Sequence, residues 1–176
     1  MGRILVTGSA GMIGSRTTAL LLDAGREVVG VDDLNEANDP RFKRNRLAEL
    51  EGRPGFSFVK TDVADRAGLS AALPAGGFDA VINLAARAGV RTSVENPWIY
   101  VDTNITGTLN LLALCRERGI AKFVLASTSS VYGASRAELF REDDDSSRPL
   151  SPYAATKKAA EALAHTYYAL HGLDVS

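Results

Sequence analysis

The run Ile4-Leu5-Val6-Thr7 opens into Gly8, Gly11 and Gly14, three glycines at three-residue spacing, and then into a stretch of helical period from about Met12 to Asp23. Strand, glycine turn and helix in that order leave few folds open. Gly8 allows a tight turn off the strand, Gly11 lets the backbone approach a diphosphate with no Cβ between, and Gly14 lets the helix pack close to the sheet. An anion at that helix start would meet free N–H groups and the positive end of the helix dipole. Small residues also gather in ordinary turns, so the rest of the chain must supply the context.

That context begins with the strand Glu27-Val28-Val29-Gly30-Val31, which ends on Asp32. An acidic side chain about twenty residues after the glycines binds the adenosine ribose hydroxyls of a dinucleotide. It favours NAD, because a 2′-phosphate would meet a like charge. A strand-end turn residue is the competing explanation of Asp32, and the glycines weigh against it. Segment 33–54 then breaks the rhythm with Arg41, Lys43, Arg44 and Arg46 beside Glu49 and Glu51. A solvated short helix and loop is expected there. These side chains fall too far along to follow the strand end directly, which leaves a 2′-phosphate site for NADP as a minor alternative.

Further strands are expected at Phe56–Lys60, Asp79–Leu84 and Ala121–Ala126. Thr61-Asp62-Val63, Ala85-Ala86 and Ser127–Ser130 follow their C-terminal ends, on the edge where an open parallel sheet places its ligands. Ala85 and Ala86 suit either a flat ring passing the sheet edge or simple packing. Helices are expected over 64–73, over 97–118 with Pro97 in the first turn and Gly119 as cap, and over 152–171 with Gly172 as cap. Residues 131–150 read as a loop, and Gly172 to Ser176 as the entry to a sixth strand. Strands alternating with helices, with near-continuous apolar strand runs, predict an α/β protein: a Rossmann-like, doubly wound parallel sheet covered on both faces, in one domain over residues 1–176.

A net charge of −1 on 176 residues, with 45% hydrophobic and 23% charged residues, argues against a nucleic-acid or membrane surface as main partner. Cys115 is the only cysteine and sits among Leu109, Leu111, Leu112 and Leu114, so it is expected in the core. Met1-Gly2-Arg3 passes straight into the first strand, and no apolar run approaches membrane-spanning length. A soluble cytoplasmic protein is expected. Glu142 to Asp145 repel one another and read as wet surface. His165 and His171 lack ligand spacing, and no metal site is expected.

Tyr153 and Lys157 are four apart on the final helix and share one face. An ammonium near a phenol stabilises the phenolate and makes Tyr153 usable as a base near neutrality. Helix-surface packing would also explain the pair. Thr128, just past the fifth strand, adds a hydroxyl at the ligand-bearing edge of the same sheet. Three groups around one substrate hydroxyl beside a nicotinamide fit carbinol oxidation.

Thr7-Gly8-x-x-Gly11-x-x-Gly14, Leu84-Ala85-Ala86, Asn104-x-x-Gly107-Thr108, Ser127 to Gly133 and Tyr153-x-x-x-Lys157 resemble the extended short-chain dehydrogenase/reductases along the whole chain. Within that group, Ala88-Gly89-Val90-Arg91-x-Ser93-x-x-Asn96-Pro97 and Ser151-Pro152-Tyr153-Ala154-Ala155-Thr156-Lys157-Lys158 are most similar to the nucleotide-sugar 4-epimerases, particularly those acting on UDP-glucuronate. The resemblance implies Thr128, Tyr153 and Lys157 as catalytic residues. It implies NAD contacts at Gly8, Gly11, Met12, Ile13, Gly14, Asp32, Asp33, Asn35, Asp62, Val63, Leu84, Ala85, Ala86, Thr103, Tyr153 and Lys157. Substrate contacts fall at Val90, Arg91, Thr128, Ser129 and Ser130, the two serines near the C5 substituent of a UDP-sugar. The implied reaction is oxidation at C4 to a ketone, rotation of the ketone and return of the same hydride. Related dehydratases place an Asp-Glu pair after the threonine and related decarboxylases a Glu, where this chain has Ser129 and Ser130. Asn83 departs from a usual His and is expected to pack or hydrogen-bond; Asn104 is expected to be structural.

Family chains continue through a region that closes over the nucleotide, so this chain is expected to be the cofactor-binding portion of an epimerase, with a sheet edge unpaired where the sixth strand should lie. A stand-alone NAD-binding or redox-sensing module is the alternative, though Thr128 and Tyr153 have no use in binding alone. An oxidoreductase with net NAD turnover is a third. The resemblance also implies a homodimer through helices 97–118 and 152–171. Leu112, Ala159, Ala162, Leu163 and Ala164 suit either that interface or the core.

Overall fold

A computed structural model describes residues 2–37, 39–134 and 139–176. Six parallel strands form one sheet in the order β3-β2-β1-β4-β5-β6. They are β1 (Arg3–Thr7), β2 (Glu27–Asp32), β3 (Phe56–Lys60), β4 (Phe78–Asn83), β5 (Lys122–Leu125) and β6 (Asp174–Val175). The chain reverses its direction of travel across the sheet between β1 and β4, which opens a crevice at their C-terminal ends.

Side chains alternate across each strand, and β1 shows what that does. Leu5 joins Val29, Val31, Val81 and Phe123 in one core layer. That layer is closed by α3 (Arg66–Ala72), α6 (Gly107–Arg118) and α7 (Pro152–His171), through Leu69, Leu111, Leu112, Cys115 and Ala164. Ile4 and Val6 point the other way and meet Val28, Leu22 of α1 (Met12–Asp23) and Leu50 of α2 (Pro40–Leu50). The doubly wound sheet is the expected one. Leu112 and Ala164 belong to this core, which settles their open assignment against an interface.

Several boundaries differ from the sequence expectation. Segment 33–54 holds an eleven-residue helix, α2, that packs on α1; Asp39 caps it by accepting from the Arg41 N–H, and Pro40 opens it. Residues 90–95 form α4 (Val90–Glu95), unanticipated because a six-residue helix is too short to show periodicity. The helix expected over 97–118 is not uniform: α5 (Trp98–Tyr100) passes into a π-helical stretch, Val101–Thr106, before α6. Gly119 caps it in the left-handed conformation, as Gly172 caps α7. The loop after β5 begins with a 3₁₀ turn, Ser129–Tyr132, while residues 135–138 of that loop and Asn38 lie outside the described residues. The edge beyond β5 is paired. Asp174 and Val175 stand opposite Lys122 and Phe123, and Lys122 Nζ lies 2.6 Å from Asp174 Oδ2.

Among the described residues, no helix is long and apolar enough to cross a membrane, and no three His, Cys, Asp or Glu side chains are grouped to hold a metal ion. Cys115 is fully buried, and burial pushes its thiol up to about 12.

Candidate functional site

The glycine turn is held by backbone contact. Gly8 has φ +67°, and a Cβ there would stand 2.8 Å from the Leu84 carbonyl carbon, so β1 and β4 leave the sheet side by side. A Cβ on Gly14 would stand 2.0 Å from the Gly8 carbonyl oxygen. Both therefore have the geometric reason the sequence proposed. Gly11 opens α1 with no side-chain cap, which leaves the first N–H groups of the helix for a ligand.

Asn83 occupies the buried end of β4. Its Oδ1 accepts from the Thr7 hydroxyl at 2.7 Å and its Nδ2 donates to the Thr108 hydroxyl at 3.1 Å, while the Thr7 Oγ1 also accepts from the Ala85 N–H at 3.2 Å. The expected hydrogen-bonding role of Asn83 is thus observed, and it ties the exits of β1 and β4 to α6. Asn104, in the π-helical stretch, accepts from the Arg87 N–H at 2.8 Å and donates to the Arg87 carbonyl and to Thr156 Oγ1. Its role is structural, as expected: it fastens the β4 exit to α7. A π turn repositions successive side chains, and here it leaves Thr103 on the crevice while Asn104 points inward.

The crevice has a volume of about 560 Å³, within the range of small-molecule and cofactor sites. Gly8, Gly11, Asp32, Asp33, Asn35, Asp62, Val63, Leu84, Ala85, Ala86 and Thr103, all singled out in the sequence, line it. Met12 and Ile13 are exposed at the start of α1, and Gly14 is buried beneath them. Thr61, placed on this edge with Asp62 and Val63, lines the crevice too, and Lys43, Arg87, Gly89, Thr92, Ile99 and Tyr100 also line it but were not singled out as contacts. Lys43 was legible only as part of a basic cluster expected to face solvent. In the fold its Nζ lies 2.8 Å from Asp32 Oδ1, which corrects the expectation that this cluster is too remote to reach the strand end.

The loop after β2 is tightly bonded. Asp32 accepts from the N–H groups of Ala10 and Leu34, Asp33 from that of Asn35, and Asn35 from that of Ala37. Leu34 takes φ +56°, a strained conformation for a side chain that bulky. Burial pushes the Asp33 carboxyl up, but hydrogen bonds from the Asn35 backbone and side chain, with the Lys43 and Arg87 charges, hold it below the usual carboxylate range.

Tyr153 and Lys157 lie outside the crevice lining but beside it. The Tyr153 ring meets Tyr100 edge-on, at 6.2 Å between centroids, and Tyr100 is a crevice residue whose hydroxyl donates to the Ala88 carbonyl. α7 packs against α4, the π-helical stretch and the 3₁₀ turn, which together bring it to the ligand-bearing edge. Lys157 is 3% exposed, and burial holds its ammonium down to about 8 against the pull of Glu161. Glu161 accepts from Ser127 Oγ and from Lys158 Nζ, so it links the residue before Thr128 to the helix carrying Tyr153 and Lys157. Thr128 caps the 3₁₀ turn, its Oγ1 accepting from the Ser130 N–H at 3.2 Å. Ser129 is exposed and Ser130 half-buried on that turn; Val90 and Arg91 are exposed at the start of α4.

The sheet order and the crevice above the β1–β4 boundary are those of the Rossmann class. A family model described as GDP-mannose 4,6 dehydratase matches residues 5–176. The UDP-glucuronate 4-epimerase of Thermodesulfobacterium geofontis is 53% identical over 176 residues, all of this chain and 54% of that protein. The crystal structure of UDP-glucuronic acid 4-epimerase from Bacillus cereus, in complex with UDP-glucuronic acid and NAD, is similar with a TM-score of 0.86 and 36% identity over 98% of this chain and 54% of that one. A dTDP-glucose 4,6-dehydratase from Streptomyces venezuelae with NAD bound gives 0.86 and 34%, over 98% and 53%. The chain belongs to the family of NAD-dependent nucleotide-sugar epimerases and dehydratases. It spans about half the length of these relatives.

Proposed function

We propose that this chain is the NAD-binding part of a nucleotide-sugar 4-epimerase that interconverts UDP-glucuronate and UDP-galacturonate. The observation that carries the reading is the meeting of two features at one sheet edge. The glycine and Asp32 crevice lies there, and so does the helix bearing Tyr153 and Lys157, in contact with it through Tyr100. The crevice fits the cofactor: Asp32 offers a buried acceptor for ribose hydroxyls, Gly8 and Gly11 keep Cβ atoms off its floor, and α1 begins with uncapped N–H groups for a diphosphate. The relatives at 53% and 36% identity support the substrate.

When bound, NAD supplies a hydride acceptor that can return the hydride to the opposite face of the same sugar carbon, with no net redox change. Tyr153 takes the proton of the 4-hydroxyl and gives it back. Lys157 would stabilise the phenolate by its charge and contact the bound NAD. Thr128 orients the reacting hydroxyl. Ser129 and Ser130 hold the C5 carboxylate, with Val90 and Arg91 on the sugar side. These roles follow the family resemblance, and two serines in place of an acid–base pair favour epimerisation over elimination. A homodimer through α6 and α7 belongs to the same reading, supported by the exposed Leu109, Tyr168 and Leu170 on those helices.

The test is incubation of the purified chain with NAD and UDP-glucuronate, separation of UDP-galacturonate, and Tyr153→Phe as control. Product that disappears in the variant supports the assignment. Accumulating NADH would replace epimerisation by net oxidation, and failure of the folded chain to bind NAD would refute the reading.

A further inference from the structure

The sequence assigns discrimination at the adenosine end of the crevice to Asp32, with a 2′-phosphate site in the basic cluster around Lys43 as a minor alternative. The structure sets one cation on that carboxylate and a second on its neighbour Asp33. Lys43 reaches in from α2, its Nζ 2.8 Å from Asp32 Oδ1 and 3.5 Å from Asp33 Oδ1. Arg87 enters from the β4 exit, 3.7 Å from Asp33 Oδ2, and its Nε is buried with no hydrogen-bond partner among the described residues. Two carboxylates are matched by two cations, and one of those cations keeps an unused buried donor.

Asp32 already accepts from the backbone N–H groups of Ala10 and Leu34 as well as from Lys43. A carboxylate offers about four acceptor positions. A ribose diol therefore shares Asp32 with Lys43 or displaces it, and in either case the ammonium stays beside the ribose.

We propose that Lys43 is a specificity-determining residue: by neutralising Asp32 next to the ribose 2′ position, it admits the 2′-phosphorylated dinucleotide NADP as a second, weaker ligand of this site. The inference rests on the reading of the crevice as a dinucleotide site. Oδ1 already takes the Leu34 N–H and Lys43 Nζ, so the open acceptor position is on Oδ2, and a hydroxyl oxygen bonded there lies within about 8 Å of Lys43 Nζ, two hydrogen bonds of roughly 2.8 Å plus the width of the carboxylate. A phosphate on that oxygen is within the swing of a flexible four-carbon side chain carrying a point charge. Arg87 adds a second cation on the far side of Asp33. Without Lys43, Asp32 keeps its charge and its two backbone donors, and repels a 2′-phosphate.

Calorimetric titration of NADH and NADPH into the cofactor-free chain reads the effect directly. The wild-type chain is expected to bind NADPH measurably but more weakly than NADH. Lys43→Gln should weaken NADPH about tenfold, equivalent to ~1.4 kcal/mol, and change NADH less than threefold. Lys43→Arg, which keeps the charge, should retain the wild-type ratio. An unchanged NADPH-to-NADH ratio in Lys43→Gln overturns the proposal, as does a wild-type chain that binds NADH with no detectable NADPH. A chain folded by circular dichroism that binds neither dinucleotide overturns the reading of the crevice itself.

Discussion

Lys157 is a buried ammonium that the protein tolerates at a cost, and Lys157→Met measures it. Its side chain is 3% exposed, and burial lowers it from an ordinary 10.5 to about 8, with Glu161 pulling in the opposite direction. At about 1.4 kcal/mol for each tenfold change in proton affinity, holding the proton costs the cofactor-free fold on the order of 3 kcal/mol. The sign follows from proton counting. Below about pH 8 both the folded and unfolded chains carry the proton, so the penalty is fully present at pH 7. Between about 8 and 10.5 the folded lysine releases its proton while the unfolded one keeps it, so the unfolded chain binds more protons and stability rises with pH. Methionine fills a similar volume without the charge and should stabilise the cofactor-free chain at pH 7 by about 1–3 kcal/mol, the lower figure allowing for relaxation around the site. For a chain of this size, ~2 kcal/mol raises the melting temperature by roughly 4–8 °C. Urea denaturation of cofactor-free wild type and variant at pH 7 and pH 9.5 is the assay, and the advantage of the variant should shrink at the higher pH. A Lys157→Met chain less stable than wild type at pH 7, or an advantage independent of pH, refutes the argument. On the proposed function the same substitution should also abolish turnover, because the charge that is costly in the empty site is the one proposed to stabilise the Tyr153 phenolate.

Gly14→Ala puts a Cβ 2.0 Å from the Gly8 carbonyl oxygen, a backbone atom that cannot rotate aside; a loss of roughly 2–4 kcal/mol is expected in denaturant titration, with weaker dinucleotide binding as α1 shifts. Thr108→Val removes the hydroxyl that accepts from Asn83 Nδ2 and leaves a buried amide unpaired. That should cost about 1–3 kcal/mol in the same titration, whereas exposed Thr92→Val should cost less.

The sheet was legible because each strand is an apolar run between turn residues and each long helix repeats at 3.6, and both signals are local. The glycine turn was legible for the same reason, since the positive φ of Gly8 and the contact of Gly14 with the Gly8 carbonyl are set within a few residues, although the close approach of Leu84 to Gly8 comes from the β4 exit. Local signals failed where an element was short or its pattern mixed. α4 has six residues and did not announce itself, while α2, expected only as a short solvated helix, runs eleven residues and buries Leu47 and Leu50 behind a polar exterior. The π-helical stretch changes hydrogen-bond register within a sequence that still reads as one helix, so composition carries no trace of it.

The sequence by itself determined the parallel doubly wound class, the ligand-bearing edge, and the residue types available there: Asp32 at the end of β2, Thr128 after β5, Tyr153 and Lys157 one helical turn apart. It could do so because periodicity, turn chemistry and fixed motif spacing are properties of neighbouring residues. Only the tertiary structure decided which charges meet. Lys43 is eleven residues from Asp32, and Arg87 fifty-four from Asp33, yet the crossover through α2 and the adjacency of β1 and β4 place all four at one end of the crevice. Glu161 is thirty-four residues from Ser127 and binds it only because α7 packs along the β5 exit. Electrostatic energy depends on distance in space, and sequence separation does not report that distance until the sheet order is known.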